Sequence, residues 1–122
     1  MEWEITLHDN PKYVEFTTHG IADVDGSLEM ARAVADTMRR HRITNVLIDH
    51  RNIESVSGKV IEVISRPKIF RLIGLVLGIR IAEIINPDHL EHFKFLETVC
   101  KNRGYNISVF YDRASALEWL LR

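Results

Sequence analysis

The stretch Asn45-Val46-Leu47-Ile48-Asp49-His50-Arg51-Asn52-Ile53-Glu54-Ser55-Val56-Ser57-Gly58 decides how this chain is read. It opens on Val46-Leu47-Ile48, a run that is β-branched at both ends and too short for a helix. Such a run is a strand buried on both faces, as in the middle of a parallel sheet. It breaks off at Asp49, His50 and Arg51, which places a strand end there. In open α/β sheets, ligands gather outside the carboxyl ends of strands, where loops converge and helix N-termini point. Any functional site is therefore expected first in residues 49–58.

Working outward from this strand, the remaining chain divides cleanly. Upstream, Trp3-Glu4-Ile5-Thr6-Leu7 alternates as a half-buried strand does, and Asp9-Asn10-Pro11 makes a turn. Tyr13-Val14-Glu15-Phe16-Thr17-Thr18 is a second strand, antiparallel to the first because the link is short, with Gly20 ending it. A helix capped at Asp23, Asp25 or Ser27 then runs to about His41, with Leu28, Ala31, Val34, Ala35 and Met38 as its apolar stripe. Arg39, Arg40 and Arg42 suit its C-terminal dipole, so this basic run needs no external partner.

Downstream, Ser55 or Ser57 can cap a second helix bearing Val60, Ile61 and Ile64, and Pro67 begins another short one. Ile79-Arg80-Ile81-Ala82-Glu83-Ile84 is a strand. Asn86-Pro87-Asp88 starts a helix whose stripe is Leu90, Phe93, Leu96, Val99 and Cys100. Ile107-Ser108-Val109-Phe110 is the last strand, and Asp112 caps a final helix with Ala116, Leu117, Leu120 and Leu121 inward. After the opening hairpin, strands and helices alternate, which requires right-handed parallel crossovers. The expectation is one α/β domain over residues 1–122. Its mixed, mainly parallel five-stranded sheet would carry an opening β-hairpin and four to five helices.

Composition narrows the function. The 122 residues suffice for one core without staples. Sixteen basic and 17 acidic residues nearly cancel, whereas phosphate tracking needs concentrated positive charge, so nucleic acid is not an expected partner. A single cysteine, Cys100, excludes an intrachain disulfide and a multi-cysteine metal site. The start Met1-Glu2-Trp3-Glu4 does not read as a signal peptide, and the most apolar stretch is interrupted by Arg71, Arg80 and Glu83. A cytoplasmic protein without a membrane span or cofactor is expected.

The order of elements resembles the STAS domain, the fold of the bacterial anti-sigma factor antagonists, and especially SpoIIAA-like STAS proteins of unknown or lipid-related role. The matching features are the hairpin, the strand ending Leu47-Ile48-Asp49, and the helix entered near Ser57-Gly58. The tail Arg103-Gly104-Tyr105-Asn106-Ile107-Ser108-Val109-Phe110, followed by Ala116-Leu117-Glu118-Trp119-Leu120, matches too. The resemblance implies a regulatory or ligand-binding module and no known enzymatic activity. In anti-sigma antagonists a serine in an Asp-Ser-Ser/Thr-Gly segment is phosphorylated at the helix start. The corresponding place here is Ser55-Val56-Ser57-Gly58, where the resemblance implies Ser57 as the phosphosite; the segment departs from the family's pattern in lacking the acid.

Each candidate group has a plainer alternative. Asp49, His50 and Arg51 suggest acid–base chemistry, since histidine titrates near neutrality. The plainer reading is that Asp49 caps backbone donors while His50 and Arg51 are solvated. Ser57-Gly58 is an anion site or only a helix cap. His89 and His92 share a helix face, but two histidines do not make a metal site, and none is expected. Cys100 lies on the apolar stripe and reads as a buried thiol. Trp119 flanks its stripe, with its ring on the sheet edge.

The sequence reading is a non-catalytic module that engages a partner protein or small ligand through Asp49, His50, Arg51, Ser55, Ser57 and Gly58, joined by Asn86. Two rivals stand beside it: an enzyme using Asp49, His50 and Arg51, and an apolar-ligand or lipid carrier with a pocket near residues 69–77. Phe70, Leu72, Ile73 and Leu75 exceed what one helix face needs, so they form a candidate apolar surface for a partner or a homodimer.

Overall fold

The computed structural model describes residues 1–56, 79–102 and 104–122. β1 (Glu2–Asp9) and β2 (Lys12–Ala22) form the opening hairpin, in unbroken register from Glu2↔His19 to Asp9↔Lys12. Helix α1 (Val24–His41) leads to β3 (Asn45–Val56). β4 (Arg80–Ile84) is followed by a 3-10 turn (Pro87–His89) and α2 (Leu90–Asn102), then β5 (Asn106–Phe110) and α3 (Arg113–Leu120). The five strands lie in sequence order, and every pairing after the hairpin is parallel.

Alternation along the strands sets two faces. Val14, Phe16, Val46 and Ile48 meet Val34, Ala35 and Met38 of α1 on one face. Tyr13, Leu47, Ala82 and Ile84 meet Ala116 and Leu120 of α3 on the other. Val46 and Leu47, adjacent in sequence, thus serve opposite cores, and both are fully buried, as the short apolar run requires. Each such side chain contributes roughly 1.5–3 kcal/mol by leaving water.

The helix starts follow the capping chemistry in the sequence. The Asp23 carboxylate accepts from the Gly26 N–H at 2.7 Å, Asn86 Oδ1 from the Asp88 N–H at 2.9 Å, and Asp112 Oδ1 from the Ser115 N–H at 2.7 Å. α1 ends at Arg42 in the left-handed region, its N–H donating to the Met38 carbonyl.

Several expectations are corrected. Gly20 does not end β2, which continues to Ala22 through a glycine at φ +90°. β3 does not end at Asp49 either. Its pairing with β4 stops at Asp49↔Ile84, but it continues beside β2 to Ala22↔Val56, with register shifts between Thr17 and His19 and between Gly20 and Ile21. β3 therefore overruns β4 from residue 50 onward, and past the row Glu2–His19–Asn52 its residues 53–56 form a two-stranded ribbon with Gly20–Ala22 of β2. Leu90, placed on the buried stripe of its helix, is exposed, whereas Glu97 is buried beside Phe93 and Cys100. Three α-helices and the 3-10 turn occur among the described residues. The helices expected after Ser57 and at Pro67 lie outside those residues, as do Ser57, Gly58, Phe70, Leu72, Ile73 and Leu75. Within the described residues, no helix is long and apolar enough to cross a membrane.

Candidate functional site

Asp49, His50 and Arg51 do not form one constellation, because successive strand residues point to opposite faces. Asp49 and Arg51 share the α3 face. Asp49 Oδ1 accepts from the Arg51 backbone N–H and from Nε, each at 3.0 Å, and Oδ2 accepts from Nη2 at 2.8 Å. Burial opposes ionisation of Asp49, but these charge-assisted bonds outweigh it and hold the carboxyl below its usual range. Arg51 remains largely exposed and also feels the negative charges of Glu15 and Asp112. Nearby on this face, Arg113 pairs with Glu15 and donates to Tyr13 Oη at 3.1 Å, while His8 contacts Glu15 at 3.0 Å.

His50 turns to the other face and is only 3% exposed, which corrects the reading of a solvated imidazole. Its ring stacks on Phe93 of α2, centroids 4.8 Å apart. Nδ1 lies 2.7 Å from Thr18 Oγ1. The Thr18 hydroxyl donates its proton to the Asp49 carbonyl at 3.2 Å, so it must accept from His50, which fixes the proton on Nδ1. The lone pair on Nε2 then faces Glu83 Oε2 at 3.6 Å.

Neither member of this pair is charged at neutral pH. Burial drives His50 down to about 3, with the nearby His92 adding to the shift and Asp49 opposing it. Burial, reinforced by the charge of Glu97, pushes Glu83 up to about 8. The contact thus joins a carboxylic acid and a neutral imidazole, and Glu83 Oε2 has no hydrogen-bond partner. Glu97 differs although it too is buried. Burial opposes its charge, but Lys94 at 2.9 Å, Lys101 at 3.1 Å and the Val109 N–H at 2.8 Å keep it ionised and lower its pKa.

Of the other candidates, Ser55 is exposed on the ribbon opposite Ile21. Asn86 caps the 3-10 turn at the same end of the sheet, beyond Ile84. His92 is partly buried and held below its usual value by burial and by His89. Among the described residues, no three His, Cys, Asp or Glu side chains group as metal ligands. Cys100 is buried, as its place on the stripe implied. Trp119 tilts on Phe110 and lies beneath the Arg80 guanidinium, 4.3 Å from its ring centroid.

Thr18, Glu83 and Glu97 escaped the sequence reading. The available signal was a lone acid inside Ile81-Ala82-Glu83-Ile84 and another at the helical spacing between Phe93 and Cys100.

The hairpin followed by parallel strand–helix units in this order defines a SpoIIAA-like α/β domain. An uncharacterised DUF3478-family protein with a SpoIIAA-like fold, from Shewanella loihica PV-4, is similar over 98% of this chain and 92% of its own, with TM-score 0.62 and 19% identity. The anti-sigma factor antagonist SpoIIAA in its unphosphorylated form is similar over 84% of this chain and 99% of its own, with TM-score 0.52 and 14% identity. At these identities the likeness is one of fold. No protein-family model matches the sequence, and no curated protein matches it.

Proposed function

We propose that this domain is a non-catalytic regulatory module that binds a partner protein through the β2–β3 ribbon. The observation that carries this reading is the overrun of β3 past β4. It leaves Arg51, Asn52, Glu54 and Ser55 exposed on an ordered ladder, with exposed Ile21 beside Ser55. Such a ladder presents polar and apolar groups at fixed spacing without ordering a loop on binding. The separation of Asp49 and Arg51 from His50 supports binding over catalysis, since no reacting atom can sit against all three side chains. The SpoIIAA-like fold supports the regulatory class, one structural neighbour being an anti-sigma factor antagonist.

The test begins with chemical cross-linking in the native host and identification of the protein captured from the ribbon. Its affinity is then measured by calorimetry for the native chain, Arg51→Glu, Ser55→Arg and, as a control on α3, Glu118→Arg. The ribbon variants should weaken binding at least tenfold and the control should not. A partner that binds all four chains equally places the interface elsewhere.

A further inference from the structure

The edge strand β1 carries a second, independent surface. Among the described residues β1 pairs with β2 alone, leaving its outer side open. Soluble proteins blunt such edges with proline, a bulge, an inward charge or a very short strand. β1 has no proline or bulge over Glu2–Asp9, and its register with β2 is unbroken. Its edge charges are the acids Glu2, Glu4 and Asp9, with no lysine, and their placement limits the registers open to a partner strand. Trp3, Ile5 and Leu7 lie on the α1 face, and Ile5 and Leu7 are 46% and 49% exposed. Glu2, Glu4, Thr6 and His8 lie on the other face.

We propose that β1 pairs antiparallel with β1 of a second copy across a twofold axis, joining two five-stranded sheets edge to edge. The strand's own side chains select both the occupant and the register. Directly opposed residues in an antiparallel pair share a face. A pairing offset by one residue would therefore set Ile5 against a polar neighbour, which excludes half of the registers. An axis through Glu4 would oppose two carboxylates, which is unfavourable. An axis through Ile5 sets Ile5 against the partner's Ile5, Trp3 against the partner's Leu7, Glu4 against the partner's Thr6, and Glu2 against the partner's His8. Apolar thus meets apolar on one face, and acid meets imidazole at both ends of the other. An axis through Thr6 gives a ladder of the same length and also opposes Glu4 to His8, but it sets Trp3 against an aspartate.

Within one chain Glu2 already contacts His19 at 3.3 Å and His8 contacts Glu15 at 3.0 Å. The dimer extends these carboxylate–imidazole pairs across the junction. The twofold consumes the open side of both β1 strands, so the assembly closes at two copies along this edge.

The full chain is examined by light scattering and sedimentation velocity across a concentration series, beside Ile5→Lys and Leu72→Glu. Ile5→Lys sets two ammonium groups against each other on the axis. Because Ile5 is exposed in the monomer, this variant keeps its fold, which circular dichroism verifies. The native chain and Leu72→Glu should dimerise, and Ile5→Lys should raise the dissociation constant at least tenfold. Under mild oxidation, Ile5→Cys should cross-link across the axis while Leu7→Cys does not. A native chain that stays monomeric throughout overturns the proposal. So does a dimer insensitive to Ile5→Lys.

Discussion

Glu83 Oε2 stands 3.6 Å from His50 Nε2 in the core beneath α2, and the two groups are kept neutral by opposite displacements of their titrations. Two groups that would attract as ions instead meet as acid and base, because leaving water costs each charge more than their contact returns. The groups facing the pair are Thr18 from β2 and His92, Phe93 and Glu97 from α2, while Asp49, its side chain on the opposite face of β3, acts through its charge.

This pair predicts a two-sided pH profile of stability. His50 titrates near 6.5 when unfolded and about 3 when folded, so its contribution is present above pH 6.5 and is lost as pH falls toward 3. Glu83 titrates near 4.5 when unfolded and about 8 when folded, so its contribution is present below 4.5 and is lost as pH rises toward 8. Between 4.5 and 6.5 the two slopes cancel, leaving a plateau. Asp49 and Glu97, both depressed, add to the loss on the acid side. Urea midpoints measured across this range should show the plateau, and Glu83→Gln should remove the fall on its alkaline side. An unchanged alkaline limb in Glu83→Gln would assign the slope to another group.

Thr18 determines which nitrogen of His50 carries the proton. Thr18→Val keeps the shape but removes the acceptor for Nδ1–H and the donor to the Asp49 carbonyl. A buried group left without its partner costs about 1–3 kcal/mol, so the urea midpoint should fall accordingly, while Thr18→Ser recovers most of it. Nitrogen-15 NMR should report the Nδ1–H tautomer in the native chain. Finding the Nε2–H tautomer would reverse the chain of hydrogen bonds described above.

Glu97 links α2 to β5 and acts on Glu83 through its charge. Glu97→Gln keeps an oxygen for the Val109 N–H but removes the charge, so the folded pKa of Glu83 should move down from about 8. Burial remains, so it should stay above 4.5. Glu97→Ala also orphans the Val109 N–H, costing about 1–3 kcal/mol more. Carbon-13 carboxyl shifts of Glu83 followed against pH check the first effect, and denaturation checks the second.

What the sequence disclosed follows from how local each signal is. The caps at Asp23, Asn86 and Asp112 act within three residues, and all three were readable. Strand–helix alternation determined the parallel sheet because crossover handedness leaves little choice. The second half of β3 was not readable. His50-Arg51-Asn52 is polar, and its extended state depends on β2, a partner thirty residues upstream that supplies the ladder. The burial of Glu83 was hidden for the same reason. An acid in a strand looks solvent-facing until α2, far along the chain, is laid over it. The sequence therefore pointed to His50 but as a solvated side chain, without its burial or its partners.

Gly20 offers the sharpest test of the ribbon. It sits at φ +90°, between His19↔Asn52 and Ile21↔Ser55, where β3 takes up an extra residue. An added Cβ would meet nothing closer than Met1 Cα at 3.7 Å, an ordinary contact. The cost of Gly20→Ala is therefore one of backbone conformation, about 1–2 kcal/mol for an L-residue held in the left-handed region. Gly104 provides the control, since it has φ +87° and open space around its Cα, but lies between α2 and β5. Both alanine variants should lose similar global stability in urea. Only Gly20→Ala should speed amide exchange at Ile21, Ala22, Ser55 and Val56, because relaxing its φ breaks the register shift that lets β2 follow β3 past Asp49. Exchange at Val14 and Val46, on the other side of the shift, should be unaffected beyond the global change. Equal exchange along all of β2 would mean that the overrun opens only with the whole domain, and the ribbon would then be as rigid as the core beneath it.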